Sequence, residues 1–171
     1  MKIELKKYTD ESKQDLINMC NAVDRKYLSD RLPDPYTEES ADRWINMLKE
    51  NDGKEGVWRG IYVDGKLAGN ISVEKKSDVY KKDSEIGYFL LTEYWSKGIM
   101  TEAAKQICAL AFEQLDIIRI TGLYYEPNVG SRRVMEKTGF KLEGTKINGV
   151  VKGDEVYNLC IMGLLKEEFK L

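Results

Sequence analysis

Residues 85–103, Glu-Ile-Gly-Tyr-Phe-Leu-Leu-Thr-Glu-Tyr-Trp-Ser-Lys-Gly-Ile-Met-Thr-Glu-Ala, decide how the rest of the chain is read. Ile86 to Leu91 is an apolar run rich in aromatic and aliphatic residues and predicts a strand. Ser96-Lys97-Gly98 forms a short loop, and Thr101 is expected to open a helix. The first N–H groups of a helix lack intrahelical acceptors and sit at the positive end of its dipole. Strand, small-residue loop and helix start together therefore predict an anion site. Gly98 has no Cβ and lets a phosphate approach the backbone, and Lys97 adds a full positive charge. The loop from Ser96 to Thr101, which includes Ile99 and Met100, is thus a candidate holder of a phosphate-bearing ligand. The same residues also suit an ordinary strand-to-helix connection. Glu102 competes for the same positive end. Neither the lysine-serine or lysine-threonine ending of a triphosphate loop nor a triple-glycine dinucleotide fingerprint is present.

The bulk composition narrows the classes. A chain of 171 residues fits one domain, expected to span 1–171. With 42% hydrophobic and 33% charged residues it reads as soluble and globular. A net charge of −2 offers no basic excess for a nucleic-acid backbone. No apolar stretch approaches the roughly 20 residues that span a membrane. Met1-Lys2-Ile3-Glu4 has no signal-peptide core, so a cytoplasmic location is expected. Cys20, Cys108 and Cys160 lie far apart among apolar residues and read as reduced core thiols. There is no histidine, which excludes a Ser-His or Cys-His nucleophile pair and imidazole-based zinc sites. Acid–base chemistry falls to Glu, Asp, Tyr, Ser, Cys, Lys or water, and no metal is expected.

Outward from the central stretch, the elements alternate. Residues 2–8 predict a first strand, and Leu16, Met19, Cys20 and Val23 share a helical face over 11–23. Pro33 and Pro35 exclude helix, and Thr37 then caps a second one with Ala41, Trp44, Ile45 and Leu48 inward. Asp64-Gly65 joins strands near 57–63 and 66–74 as a tight hairpin. The helix 101–115 is followed by a strand over 117–125 that ends at Pro127. A short helix follows over 129–138, with Gly139 as its left-handed stop. The last strands read 140–147 and 155–164, with turns at Gly149 and Gly153-Asp154. The order β α α β β β α β α β β gives a mixed α/β fold. Its strand–helix–strand unit is parallel with a right-handed crossover, and the hairpins around it are antiparallel.

Three segments in this arrangement resemble the GCN5-related N-acetyltransferases (GNAT), and within them the RimJ/RimL-type branch of ribosomal-protein acetyltransferases. They are 32–37 with Trp44, the stretch 85–103, and Glu126-Pro127-Asn128 through Phe140 with Leu142-Glu143-Gly144. The likeness covers nearly the whole chain. It implies a mostly antiparallel sheet with a central pair of parallel strands that splay apart. It also implies acetyl-coenzyme A as cosubstrate and an amine as acceptor: a protein N-terminal α-amine, or a small amine such as a polyamine, amino acid or antibiotic. The family's pyrophosphate loop reads Gln or Arg, two residues, Gly, one residue, Gly or Ala. Here Trp95 takes the first place and Met100 the last, where its side chain is expected to hold the backbone off the ligand.

In this family pantetheine lies between the splayed strands, where Pro127 fits as the residue that ends pairing. The resemblance implies that main-chain groups of Phe89, Leu90 and Leu91 pair with pantetheine. It also implies that an N–H near Leu90 polarises the thioester carbonyl. Asn128 and Ser131 fall where the family places side chains against the coenzyme; Asn128 also suits a helix N-cap, and Ser131 a solvated first turn. Arg132 and Arg133 are candidates for the 3′-phosphate or plain surface charge. Glu85 is the candidate base, directly or through water. Ser131 is the hydroxyl left to serve the leaving thiolate, since the helix that carries a tyrosine in many family members has none here; Tyr88, Tyr124 and Tyr125 stand in reserve. The acceptor groove is expected between residues 30–36 and the hairpin 147–156. A monomer or homodimer is expected. The alternative function is a non-catalytic coenzyme A-binding sensor.

Overall fold

The computed structural model describes residues 1–171. Its strands are β1 (Ile3–Lys6), β2 (Gly56–Val63), β3 (Lys66–Lys75), β4 (Ser84–Leu90), β5 (Arg119–Tyr125), β6 (Lys141–Lys152) and β7 (Glu155–Leu165). Its helices are α1 (Lys13–Ala22), α2 (Glu38–Asn51), α3 (Ile99–Gln114) and α4 (Val129–Thr138). One sheet joins all seven strands in the order β1-β2-β3-β4-β5-β7-β6. Every neighbouring pair is antiparallel except β4 and β5. This is the mixed, mostly antiparallel architecture expected from the sequence.

Local chemistry accounts for the elements. Thr37 Oγ1 accepts from the Ser40 N–H at 3.1 Å and starts α2. Asp64 and Gly65 both take positive φ, 49° and 82°, as a tight β2–β3 turn of twist-matched type requires. Gly139 stops α4 at φ 111°, and its N–H reaches back to the carbonyls of Met135 and Glu136. Alternation along the strands then gives the sheet two apolar faces. α3 and α4 cover one, in a core of 25 buried residues that includes Ile71, Ile86, Ile107 and Met135. α1 and α2 cover the other, in a core of 9 that includes Leu16, Ile45 and Trp58. Burial pushes the Cys20 and Cys108 thiols up to about 12, which keeps them protonated.

Three expectations are corrected. α3 starts at Ile99, with Gly98 as its cap, so Thr101 is already inside the first turn. The cause is the left-handed Gly98, φ 77°, which reverses the chain before Ile99 and Met100 turn into the core. Gly149 makes no turn: β6 runs on to Lys152 and absorbs Gly149 in an irregularity between Lys146 and Val150. Asn148 sits there at φ 53° with its N–H on Asn158 Oδ1 at 2.9 Å. Pro127 does not end the parallel pairing, which stops several residues earlier.

Candidate active site

The β4–β5 ladder has only two pairs, Glu85↔Thr121 and Ile86↔Gly122. Beyond them each strand stays with its outer neighbour. β4 follows β3 to Gly69↔Leu90, and β5 follows β7 to Tyr125↔Leu159. Gly69 allows the first, because a Cβ there would lie 2.5 Å from the Phe89 carbonyl. The closed end is stitched by Asp83. Its carboxylate accepts from Ser84 N–H at 2.7 Å, Thr121 Oγ1 at 2.8 Å and Lys76 Nζ at 2.8 Å. Ser84 Oγ in turn donates to the Arg119 carbonyl at 2.9 Å. Burial raises the Asp83 carboxyl, but these donors outweigh it and hold it below its usual range.

The open end exposes main-chain groups that alternation identifies. Leu91 N–H donates to the Ala68 carbonyl at 2.9 Å, in register with the β3–β4 ladder. Odd-numbered residues of β4 therefore bond to β3, and Tyr88 and Leu90 address the gap. Glu126 N–H donates to the Asn158 carbonyl at 2.9 Å, which likewise turns Leu123 and Tyr125 toward the gap. Two of these groups are already taken. The Leu90 carbonyl accepts from Trp95 Nε1 at 2.8 Å, and the Tyr125 carbonyl from Asn128 N–H at 2.7 Å. Leu123 N–H closes the last rung of the parallel ladder on the Ile86 carbonyl, so the N–H and C=O of Tyr88, the C=O of Leu123 and the N–H of Leu90 and Tyr125 are left. Of the three residues expected to offer free main-chain groups, only Leu90 does so. Phe89 is committed to β3, and Leu91 gives its N–H to β3 and its carbonyl to Tyr94 N–H at 3.0 Å.

A cavity of about 1580 Å³ passes through this gap. On the α3–α4 side it is lined by Trp95, Ser96, Gly98, Thr101, Asn128 and Ser131. None of the backbone N–H groups from Ser96 to Thr101 has an acceptor in the protein; Glu102 N–H is the first to find one, at Gly98. Ser96 and Gly98 both take positive φ, 60° and 77°, and a Cβ on Gly98 would meet nothing within 4 Å. Ile99 and Met100 are 1% and 8% exposed, so they offer the loop only their amides. The Met100 side chain therefore does not hold a ligand off the backbone, because it is spent on the core. Lys97 points elsewhere: its ammonium donates to the Glu93 carbonyl at 2.8 Å and lies 5.9 Å from the Tyr94 ring centre.

Asn128 caps α4, its Oδ1 accepting from Ser131 N–H at 3.2 Å. Ser131 Oγ and the Tyr88 hydroxyl are 2.7 Å apart, a link from α4 to β4 across the gap. Burial raises the Tyr88 phenol, against the lowering hydrogen bond from Ser131. Arg132 pairs with Glu136 at 3.6 Å, whereas Arg133 lines the cavity without a partner. Tyr124 is buried in the core, and Tyr125 stacks on Tyr157 with ring centres 5.8 Å apart.

On the α1–α2 side the cavity reaches Asn70, Ser72, Glu74, Glu85 and Gly87 under the loop that follows α1. Glu85 makes no hydrogen bond or ion pair. It lies directly across from Glu74, and burial pushes its carboxyl up, with Lys76 opposing and Glu74 adding. Arg25 staples the overlying loop through the carbonyls of Leu32, Cys20 and Pro33, each at 2.8 Å. Asp30 then meets Lys152 of the β6–β7 hairpin at 2.7 Å, and Tyr27 packs edge-on against Tyr125 and Tyr157. Of residues 147–156 only Val150 enters the lining, and Leu159 joins it from further along β7. Sequence reasoning missed Trp95 as a main-chain partner, Asp83 as the closing stitch and Arg25 as the staple. Each acts on backbone oxygens or amides that carry no sequence signature.

The comparisons agree with this geometry. Residues 2–141 match the family described as Acetyltransferase (GNAT) domain. The putative ribosomal N-acetyltransferase YdaF of Bacillus subtilis (strain 168) is 33% identical over 137 residues, 80% of this chain and 73% of that protein. A solved structure described as a probable acetyltransferase superposes with a TM-score of 0.80 at 28% identity, covering 98% of this chain and 94% of its own. RimL, a ribosomal L7/L12 α-N-protein acetyltransferase in complex with coenzyme A, shares the fold at a TM-score of 0.82 and 17% identity, covering 95% and 93%. The parted parallel strands, the free amides at the start of α3 and the family match converge: this chain belongs to the GNAT acetyltransferases.

Proposed function

We propose that the chain transfers the acetyl group of acetyl-coenzyme A to a primary amine, a protein N-terminal α-amine or a small-molecule amine, by direct attack within a ternary complex. The carrying observation is the single cavity that crosses the sheet where β4 and β5 part. It gives donor and acceptor separate approaches to one point. The pyrophosphate suits the amides of Ser96 to Thr101, where free N–H groups meet the positive end of α3. Pantetheine amides suit the unpaired N–H and C=O of Tyr88 and the C=O of Leu123. Asn128 retains an unengaged side-chain NH2, and Arg133 an unpaired charge, on the same side. The Leu90 N–H is the donor aimed at the thioester oxygen, where charge develops in the transition state.

The acceptor must arrive neutral. An α-amine, with pKa near 8, loses its proton more readily at pH 7 than a lysine amine near 10.4. On the acceptor side Glu74 is held by Trp58 Nε1, and Glu85 is the carboxylate beside it left without a partner. Five residues of strand separate it from Leu90, roughly 16 Å at about 3.3 Å per residue, so the proton reaches it through water. The nitrogen then bonds to the carbonyl carbon, the C–S bond breaks, and the departing thiolate meets the Ser131 hydroxyl, which Tyr88 holds. From the neutral amine the products are the acetylated amine and coenzyme A thiol: the proton that nitrogen sheds passes through water to Glu85, and the thiolate takes one from the Ser131 hydroxyl, which solvent restores. The test is thiol release from acetyl-coenzyme A over a panel of peptides with free N-termini and small amines. Wild type should turn over at least one of them. Glu85→Gln and Ser131→Ala should each lower kcat. Acetyl-coenzyme A that binds yet is never consumed would favour a sensor.

A further inference from the structure

We propose that Trp95 is a positioning residue for the oxyanion donor: its indole clamps the Leu90–Leu91 peptide and thereby aims the Leu90 N–H into the fork. The proposal rests on the functional reading above. The peptide in question is held from both edges. Its N–H, on Leu91, donates to the Ala68 carbonyl at 2.9 Å, and its C=O, on Leu90, accepts from Trp95 Nε1 at 2.8 Å. The Leu90 N–H belongs to the preceding Phe89–Leu90 peptide, whose carbonyl is held in the β3 ladder; with both planes fixed, the φ and ψ of Leu90 between them are set, and with them the direction of that N–H. Without the indole, Leu90 would be the last residue of a strand whose gap-side carbonyl has no partner.

The surrounding turn is built to return the indole to this carbonyl. Tyr94 N–H donates to the Leu91 carbonyl at 3.0 Å, and Trp95 N–H to the Thr92 carbonyl at 3.1 Å, a tight 3-10 turn over Thr92–Tyr94. Lys97 ties the far side of the turn to Glu93. Burial does not demand the bond. Trp95 is 49% exposed, and water can satisfy an indole N–H at that exposure. The bond is directional, and indole is a donor only, so it can hold a carbonyl but cannot compete for the thioester oxygen's donor. Trp95 thus joins the two halves of the donor site. The loop that offers amides to the pyrophosphate begins at the same residue that fixes the end of β4, so the two contacts keep a constant separation.

The test compares wild type with Trp95→Phe, which keeps a ring and loses the N–H. Calorimetric titration with coenzyme A gives binding, and steady-state thiol release gives kcat and KM. A misaimed donor is expected to lower kcat roughly tenfold to a hundredfold, because small displacements of a transition-state donor cost that much. Coenzyme affinity and KM for acetyl-coenzyme A should stay within about threefold. In the amide and indole NMR spectrum, the Trp95 indole proton of wild type should exchange slowly despite its exposure. Unchanged kcat, a loss confined to KM, or a rapidly exchanging indole proton would overturn the proposal. If Trp95→Phe does not fold, Trp95→3-benzothienylalanine preserves the shape without the N–H, and the same split in kcat is required of it. A wild type that fails to bind coenzyme A would overturn the functional reading itself, and this proposal with it.

Discussion

Gly98 separates two effects that a substitution there would otherwise confound. Its φ of 77° lies where non-glycine residues are strained, while the space a Cβ would enter holds no protein atom within 4 Å. Replacing it by Val should cost about 1–2 kcal/mol for the left-handed backbone, and somewhat more for β-branching. At about 2–4 °C per kcal/mol for a chain of this size, the melting temperature should fall by roughly 2–8 °C. Asn tolerates left-handed φ far better, so Gly98→Asn should melt close to wild type. Both side chains, however, project into the space proposed for the pyrophosphate. If either weakens binding tenfold, the gain from ligand falls as follows. Wild type at 100 times its dissociation constant is stabilised by about 2.7 kcal/mol, and the variant at the same concentration by about 1.4 kcal/mol. The assay is thermal melting with and without acetyl-coenzyme A. The expected pattern is a small unliganded loss for Gly98→Asn, a larger one for Gly98→Val, and a roughly halved ligand shift for both. A Gly98→Asn protein whose ligand shift equals that of wild type would show that the coenzyme does not approach this backbone.

Glu85 carries a pH signature. Burial raises its carboxyl in the folded state, so folding is favoured while it is protonated, and that contribution is lost as pH rises through the folded value. Glu85→Gln should therefore melt above wild type at pH 7, and the difference should vanish below about pH 4, while turnover falls. A Gln variant less stable than wild type at neutral pH would contradict an unpartnered carboxylate. Asp83 has the opposite sign: its depressed carboxyl stabilises the fold above its unfolded value, and the effect fades as pH falls through the folded one. Asp83→Asn should cost about 1.5–3 kcal/mol at pH 7, the range for charged hydrogen bonds, with the gap to wild type narrowing below about pH 4, as denaturant melts would show. Tyr88→Phe removes one hydroxyl from the bond to Ser131 and should cost about 1 kcal/mol of stability, with kcat lowered less than by Ser131→Ala. Equal kcat in all three proteins would remove the pair from the chemistry.

The fold was legible because its signals are local. The Asp64-Gly65 turn, the Thr37 cap and the Gly139 stop each state their geometry in one or two residues, and the structure realises all three. The crossover from Ile86 through α3 to β5 follows from chain handedness. What stayed hidden depends on long-range register. Which of Phe89, Leu90 and Leu91 faces the gap is a question of parity, set by the ladder with β3, and a one-residue shift would reverse it. The reach of β6 past Gly149 was hidden for the same reason, since β7 supplies the partners that carry the strand through the irregularity. The start of α3 is not marked in the sequence, since Gly98 suits a loop as well as a cap, and only the core shows where the side chains of Ile99 and Met100 go. Of the candidate site, the loop and the Asn128–Ser131 turn were visible as motifs. The partners of Trp95, Asp83 and Arg25 were not: Trp95 and Arg25 donate to main-chain carbonyls and the Asp83 carboxylate gathers donors from three segments, and neither arrangement leaves a periodic mark.

The brevity of the β4–β5 ladder has a mechanical consequence. The sheet consists of a four-stranded panel, β1 to β4, and a three-stranded panel, β5, β7 and β6, that share main-chain bonds only along a seam two pairs long. α3 crosses that seam from the end of one panel to the start of the other. A molecule with its own amides, laid along the open seam, would complete the hydrogen bonding that the polypeptide leaves unfinished. The two panels would then unfold as one unit when it is present, and more independently when it is not.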